Sequence, residues 1–193
     1  MTEQEAINKL SEYFDHLRAG WQKAWQLMGN YSHPALQKQT RAAILQNHAV
    51  DFCKKSIQEA GLGKFTYSQN KSELPVNGIA VISFKKLTTD LLPRNNHTKR
   101  SKSFYNQASF LAECCNLVSG AVVSDDWSEL TGIYLVQTKS YRHINWALNI
   151  TTDVSRIDEE QSKFFYVDEE TEGTGFFDVE DDDEEQEGGV NAG

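Results

Sequence analysis

Three cysteines in 193 residues, two of them adjacent, are too few and too oddly counted for a disulfide framework. Cys53, Cys114 and Cys115 offer no CxxC spacing, which removes a zinc ribbon. A reducing cytoplasm is the setting they suit. No apolar run approaches the ~20 residues of a membrane-spanning helix, so no membrane partner is expected. The opening MTEQEAINKL lacks the basic-then-apolar order of a secretory signal. The five histidines, His16, His33, His48, His97 and His143, have no metal-ligand spacing, and GxSxG, P-loop and GxGxxG motifs are all missing. No cofactor is expected outside the Mg²⁺ reading given below.

Charge is present but unevenly placed. The net charge of -9 conceals a tail from Asp168 onward with twelve acids and no Lys or Arg. The remaining sixteen acids face nineteen bases, so residues 1–167 carry +3. A mildly basic body bears a strongly acidic tail. The tail, rich in acid and glycine, cannot bury enough apolar surface to build a core and is expected to be disordered.

The body reads as helices followed by strands. Ile7, Leu10, Phe14, Leu17, Trp21, Ala24 and Met28 recur at alternating spacings of three and four, predicting an amphipathic helix over 3–28. Gly20 is its weak spot, by about 1 kcal/mol relative to Ala. The same spacing suits a coiled-coil seam, so a homodimer through this helix is one expectation. After the break GNYSHP, with Ser32 or His33 as cap and Pro34 in the first turn, a second helix runs to about Ala60 and stops at Gly61 or Gly63. Its stripe is Leu45, Ala49, Phe52, Cys53 and Ile57.

A weak strand from Phe65 and a better one over Gly78–Leu87 follow, the latter ending in Lys85 and Lys86 as an edge strand does. Residues 88–102 have no period and read as a long exposed loop. A short helix is expected from Ser103 to Cys115, with Phe104, Ala108, Leu111 and Cys115 inward. Asn116 to Thr152 then reads as three consecutive strands. In the last, Ile144, Trp146, Leu148 and Ile150 alternate with polar or small residues and should share one face. In the middle one, Ile133 and Leu135 oppose Tyr134 and Val136, so both its faces should be covered. The expected fold is one α+β domain over 1–167. Two long helices and one short one pack on a mostly antiparallel sheet of four or five strands ending in a β-meander, and the disordered tail is 168–193.

Three stretches carry candidate chemistry. Arg94, Lys99, Arg100 and Lys102 lie within nine residues without an acid, and Phe104 and Tyr105 follow. Bases beside aromatics suit phosphate contact and base stacking, making nucleic acid a candidate partner. In the tail, Phe176 and Phe177 adjoin Asp178, Glu180 and an acidic run, a pattern that suits docking in a basic groove of a protein partner. This composition is similar to the acidic tails of bacterial single-stranded-DNA-binding proteins, although those end in an apolar residue and this chain ends Val190-Asn191-Ala192-Gly193.

The third stretch is catalytic. Asp126, then Gln137 two residues before Lys139, resembles the PD-(D/E)xK nucleases. The resemblance implies Mg²⁺ held at Asp126 and Gln137 and a water positioned by Lys139. Gln replaces the usual acid, and a strand follows where that family places a helix. Asp125 and Asp126 also suit an ordinary hairpin turn. The leading functional expectation is a cytoplasmic, non-enzymatic binding or regulatory protein that uses the basic loop, acidic tail or helix surface on a macromolecular partner, of a kind that a phage or mobile element encodes. The nuclease is the alternative.

Overall fold

Thr2 starts the first helix. Its hydroxyl accepts a hydrogen bond from the Glu5 amide at 3.2 Å, and the Glu5 carboxylate accepts one from the Thr2 amide at 2.7 Å, a capping box that satisfies two otherwise orphaned donors. The computed structural model describes residues 1–31, 36–68, 71–93, 104–105, 114–140 and 142–152. Helix α1 spans Glu3–Met28, as its periodicity predicts. Helix α2 is Lys38–Glu59, with Gln37 at its N-cap. It ends where the glycine indicates: Gly61 adopts φ +70°, and the Gly61 and Leu62 amides return to the Gln58 and Ile57 carbonyls, both at 3.1 Å. Ser32, His33 and Pro34 lie outside the described residues.

Six strands form one mixed sheet in sequence order: β1 Thr66–Ser68, β2 Lys71–Val76, β3 Ala80–Leu87, β4 Cys115–Val123, β5 Leu130–Ser140 and β6 His143–Asn149. Every neighbouring pair is antiparallel except β3 and β4, which are parallel. The α+β class and the closing meander agree with expectation, while the sheet has six strands rather than four or five. The extra strand is β2, where Pro75 and three polar residues obscure the pattern. Asn77 and Gly78, both at positive φ, close the tight turn into β3. The lysine-ended strand β3 sits inside the sheet and not at its edge. Of the predicted short helix, Phe104 and Tyr105 are helical, and Cys115 instead opens β4, its amide bonded to the Ile79 carbonyl. Residues 106–113 lie outside the described residues. Residues 1–157 form one packed unit, and 158–193, a second unit, are not among those described.

Both helices pack on one face of the sheet. Leu10, Leu17, Trp21, Leu45, Ala49 and Ile57 meet Leu74, Ile82, Leu117, Ile133 and Leu135 there, all fully buried. Each such side chain taken out of water contributes about 1.5–3 kcal/mol. Tyr13 and Ala6 join this face and Ile7 lies at its margin, so the buried stripe is rotated slightly from the one the spacing suggests. The Trp21 indole donates to Ser119 Oγ at 3.0 Å, tying α1 to the middle of β4.

The opposite face has its own smaller core of Leu87, Leu91, Tyr105, Val118, Val122 and Val136, flanked by Phe104, Tyr134, Ile144 and Ala147. Strand β5 therefore has apolar cover on both sides, as its sequence implies. Ile144 is a correction. It packs in this second cluster and not beside Trp146, because the β5–β6 register shifts between them and Asn145 becomes the extra residue of a bulge.

Candidate functional site

The basic stretch 94–102 belongs to the crossover that the parallel β3–β4 pair requires. The described residues on either side of it, Leu91 and Tyr105, pack on the second face of the sheet. On the upstream side Thr88 to Leu92 fold into a tight turn. The Thr88 amide bonds the Leu92 carbonyl at 2.9 Å, the Leu91 amide bonds the Thr88 carbonyl at 3.0 Å, and Thr88 Oγ1 accepts from the Leu92 amide at 3.2 Å. Leu91 is held at φ 58°, costly for a side chain of its size, and its burial offsets that strain. Pro93 then bridges back to Leu87.

On the downstream side Asn116 Nδ2 donates to the Phe104 carbonyl at 3.1 Å, and Thr138 Oγ1 donates to the Tyr105 carbonyl at 2.8 Å. The Phe104 and Tyr105 rings meet edge to face at 5.4 Å. Arg94, Lys99, Arg100 and Lys102 lie outside the described residues, between these anchors. The aromatic pair is where sequence and structure part. Tyr105 is only 3 % exposed and serves the second core, so its ring is not offered to a base; Phe104 keeps partial exposure.

The nuclease constellation is not brought together. Asp126 sits in the β4–β5 turn, where its Oδ1 accepts from the Ser128 amide at 3.1 Å and the Ser128 hydroxyl at 2.8 Å. Hydrogen bonds from Ser124 and Ser128 hold its carboxyl down at about 2. Gln137 and Lys139 lie toward the other end of β5, seven or more residues past Leu130, or about 23 Å of strand. Gln137 is buried, with its carbonyl oxygen engaged by Asn145 Nδ2 at 2.7 Å, whereas Lys139 is exposed. The register shifts around Thr138 also break the strict alternation that would aim the two the same way. Among the described residues, no three His, Cys, Asp or Glu side chains gather as a metal site would need. Phe176, Phe177, Asp178 and Glu180 lie outside the described residues.

Burial pushes the Cys53 thiol up, away from any nucleophilic role, and the thiol donates instead to the His16 and Leu17 carbonyls of α1. Desolvation, with Cys115 adding to it, also raises Cys114.

Two arrangements escaped the sequence reading because each joins distant elements. His16 Nδ1 and Ser56 Oγ stand 2.6 Å apart between the helices. That is within reach for a base and a nucleophile, but among the described residues no carboxylate bonds the imidazole to orient it. At the far end of β3 and β4, Trp127 stacks on Trp25 at 6.4 Å, with Lys86 Nζ 5.6 Å from its ring centre. Trp127 has φ 62°, held by the serine-rich turn around it. Comparison of the chain with family models, with curated proteins and with solved structures returns no match.

Proposed function

We propose that this chain is a non-enzymatic binding protein that presents residues 94–102 to a polyanionic macromolecule, single-stranded nucleic acid first among them. The observation that carries this reading is the anchoring of both ends of the basic stretch, at Pro93 through the Leu87 bridge and at Phe104 and Tyr105 through Asn116 and Thr138. A stretch held at both flanks would lose less ordering entropy on binding than a free basic tail. Arg94, Lys99, Arg100 and Lys102 would contact phosphates and release counterions, and Phe104 would add one stacking surface. No helix among the described residues is long and apolar enough to cross a membrane, and a cytoplasmic setting suits the three free thiols.

The test is binding of a fluorescent single-stranded oligonucleotide to the full chain over a salt series, for wild type and for a variant with all four cations changed to Ala. Four phosphate contacts give a slope of about -3 in log affinity against log salt, and the variant should lose it. Wild type and variant binding alike, or neither binding at low salt even after residues 168–193 are removed, would remove nucleic acid from consideration and turn attention to a protein partner for Phe176–Glu180.

A further inference from the structure

Strand β6 ends the sheet: among the described residues its only neighbour is β5. Its edge is unusually undefended. His143–Asn149 contains no Lys, Arg, Asp, Glu or Pro, the residues that ordinarily discourage strand addition. The Ile150 amide bonds the Ile133 carbonyl at 2.8 Å. Alternation then directs the backbone groups of Leu148 and Trp146 to β5 and those of Ala147 and Asn149 outward. The bulge at Asn145 interrupts this edge before Trp146 and leaves Trp146–Asn149 regular.

The sequence along this edge is nearly the same read from either end. Around Ala147 stand Trp146 and Leu148, then Asn145 and Asn149, then Ile144 and Ile150. An antiparallel strand pair about a two-fold axis sets residue 147 - n opposite residue 147 + n, so such a strand is complementary to itself. We propose that two copies of this chain join through their β6 edges into one continuous antiparallel sheet, with Ala147 of one copy opposite Ala147 of the other. The two Ala147 residues exchange N–H to C=O hydrogen bonds. Trp146 packs beside Leu148 of the second copy on the helix-covered face. The bulge at Asn145 moves Ile144 to the other face and limits the matched stretch to Trp146, Ala147 and Leu148. The matched stretch holds no ionisable side chain, so self-pairing meets no repulsion between like charges. The coiled-coil route is closed by comparison, because Leu10, Leu17, Trp21 and Ala24 of α1 are fully consumed in the chain's own core.

Light scattering coupled to gel filtration of the full chain, over a concentration series, reads the molar mass directly. A dimer is expected, and Ala147→Lys, which sets two like charges face to face, should halve the mass while the circular dichroism stays unchanged. In a second arm, Ala147→Cys should form a disulfide between the two copies on mild oxidation, mapped by mass spectrometry to residue 147 of both. Cα atoms of such a hydrogen-bonded pair are about 5.5 Å apart, within disulfide range. A wild-type monomer at all concentrations overturns the proposal. So does a dimer that Ala147→Lys leaves intact and in which no 147–147 bridge forms.

Discussion

Gly20 of α1 lies directly against Cys53 of α2. A Cβ added at Gly20 would overlap the Cys53 sulfur and stand 3.1 Å from the Cys53 backbone nitrogen. The glycine that weakens α1 by propensity is thus what lets the two helices approach this closely, and the buried thiol fills the space a methyl group would take.

Gly20→Ala should therefore destabilise the protein, although helix propensity alone favours it by about 1 kcal/mol. Overpacking of this kind costs about 1–3 kcal/mol. Cys53→Ala in the same chain removes the sulfur and should recover part of the loss, which a double-mutant cycle by urea unfolding would measure as a favourable coupling. A stabilised Gly20→Ala would mean that the helices are not so closely apposed.

Trp146 should be a large contributor to stability. It is buried on the helix-covered face, and its indole donates to the Met1 carbonyl at 3.0 Å. Trp146→Ala should cost about 3–5 kcal/mol, read from the denaturant midpoint. A cost near that of a surface substitution would contradict its placement.

The legible parts of this fold are those where one element's own pattern decides. The three-four repeat from Leu10 to Trp21 gives α1, Gly61 gives the end of α2, and alternation gives β5 two buried faces. What escaped depends on partners distant in sequence. Nothing local marks β3 and β4 as parallel neighbours, since that pairing sets Ala80 beside Cys115 and Leu87 beside Val122, far apart in the chain. Alternation alone sets Ile144 beside Trp146, and the bulge that turns it to the other face is a property of two strands together. Asp126, Gln137 and Lys139 look close in sequence, but β5 is long enough to carry them apart. Tyr105 reads as an exposed stacking ring because its partners Val118, Val122 and Val136 all lie on later strands.

The turn that holds Trp127 should be acid-sensitive. Asp126 has its carboxyl lowered from the ordinary 3.8 to about 2 by hydrogen bonds from Ser124 and Ser128. A carboxylate lowered in the folded state adds stability above its unfolded value, and that stability is lost as pH falls from about 3.8 through about 2. Asp126→Asn should remove this part of the acid dependence while leaving the rest of the profile in place. A carboxyl-carbon titration by NMR with its midpoint near 3.8 would show that the turn does not hold the ionised form.

Removing the acidic tail should strengthen polyanion binding. Residues 168–193 carry twelve negative charges, and without them the net charge passes from -9 to +3. An oligonucleotide approaching the full chain meets a net repulsive field, and one approaching residues 1–167 does not. At about 0.01 M salt the Debye length is about 30 Å, so the whole chain's charge acts, whereas at about 0.15 M it is about 8 Å and only nearby charges count. Deletion of 168–193 should thus raise affinity for single-stranded nucleic acid most at low salt, with little gain at physiological salt. Changing Arg94, Lys99, Arg100 and Lys102 to Ala in the truncated chain should cancel the gain, because these supply the attractive charge that the tail opposes. Matched melting curves for the truncated proteins, with and without the four changes, separate this effect from loss of fold. A gain that survives neutralisation of all four would place the attractive surface elsewhere on the body, with Lys86 beside Trp127 the next cation to change. No gain at any salt would mean that the basic stretch does not contact nucleic acid.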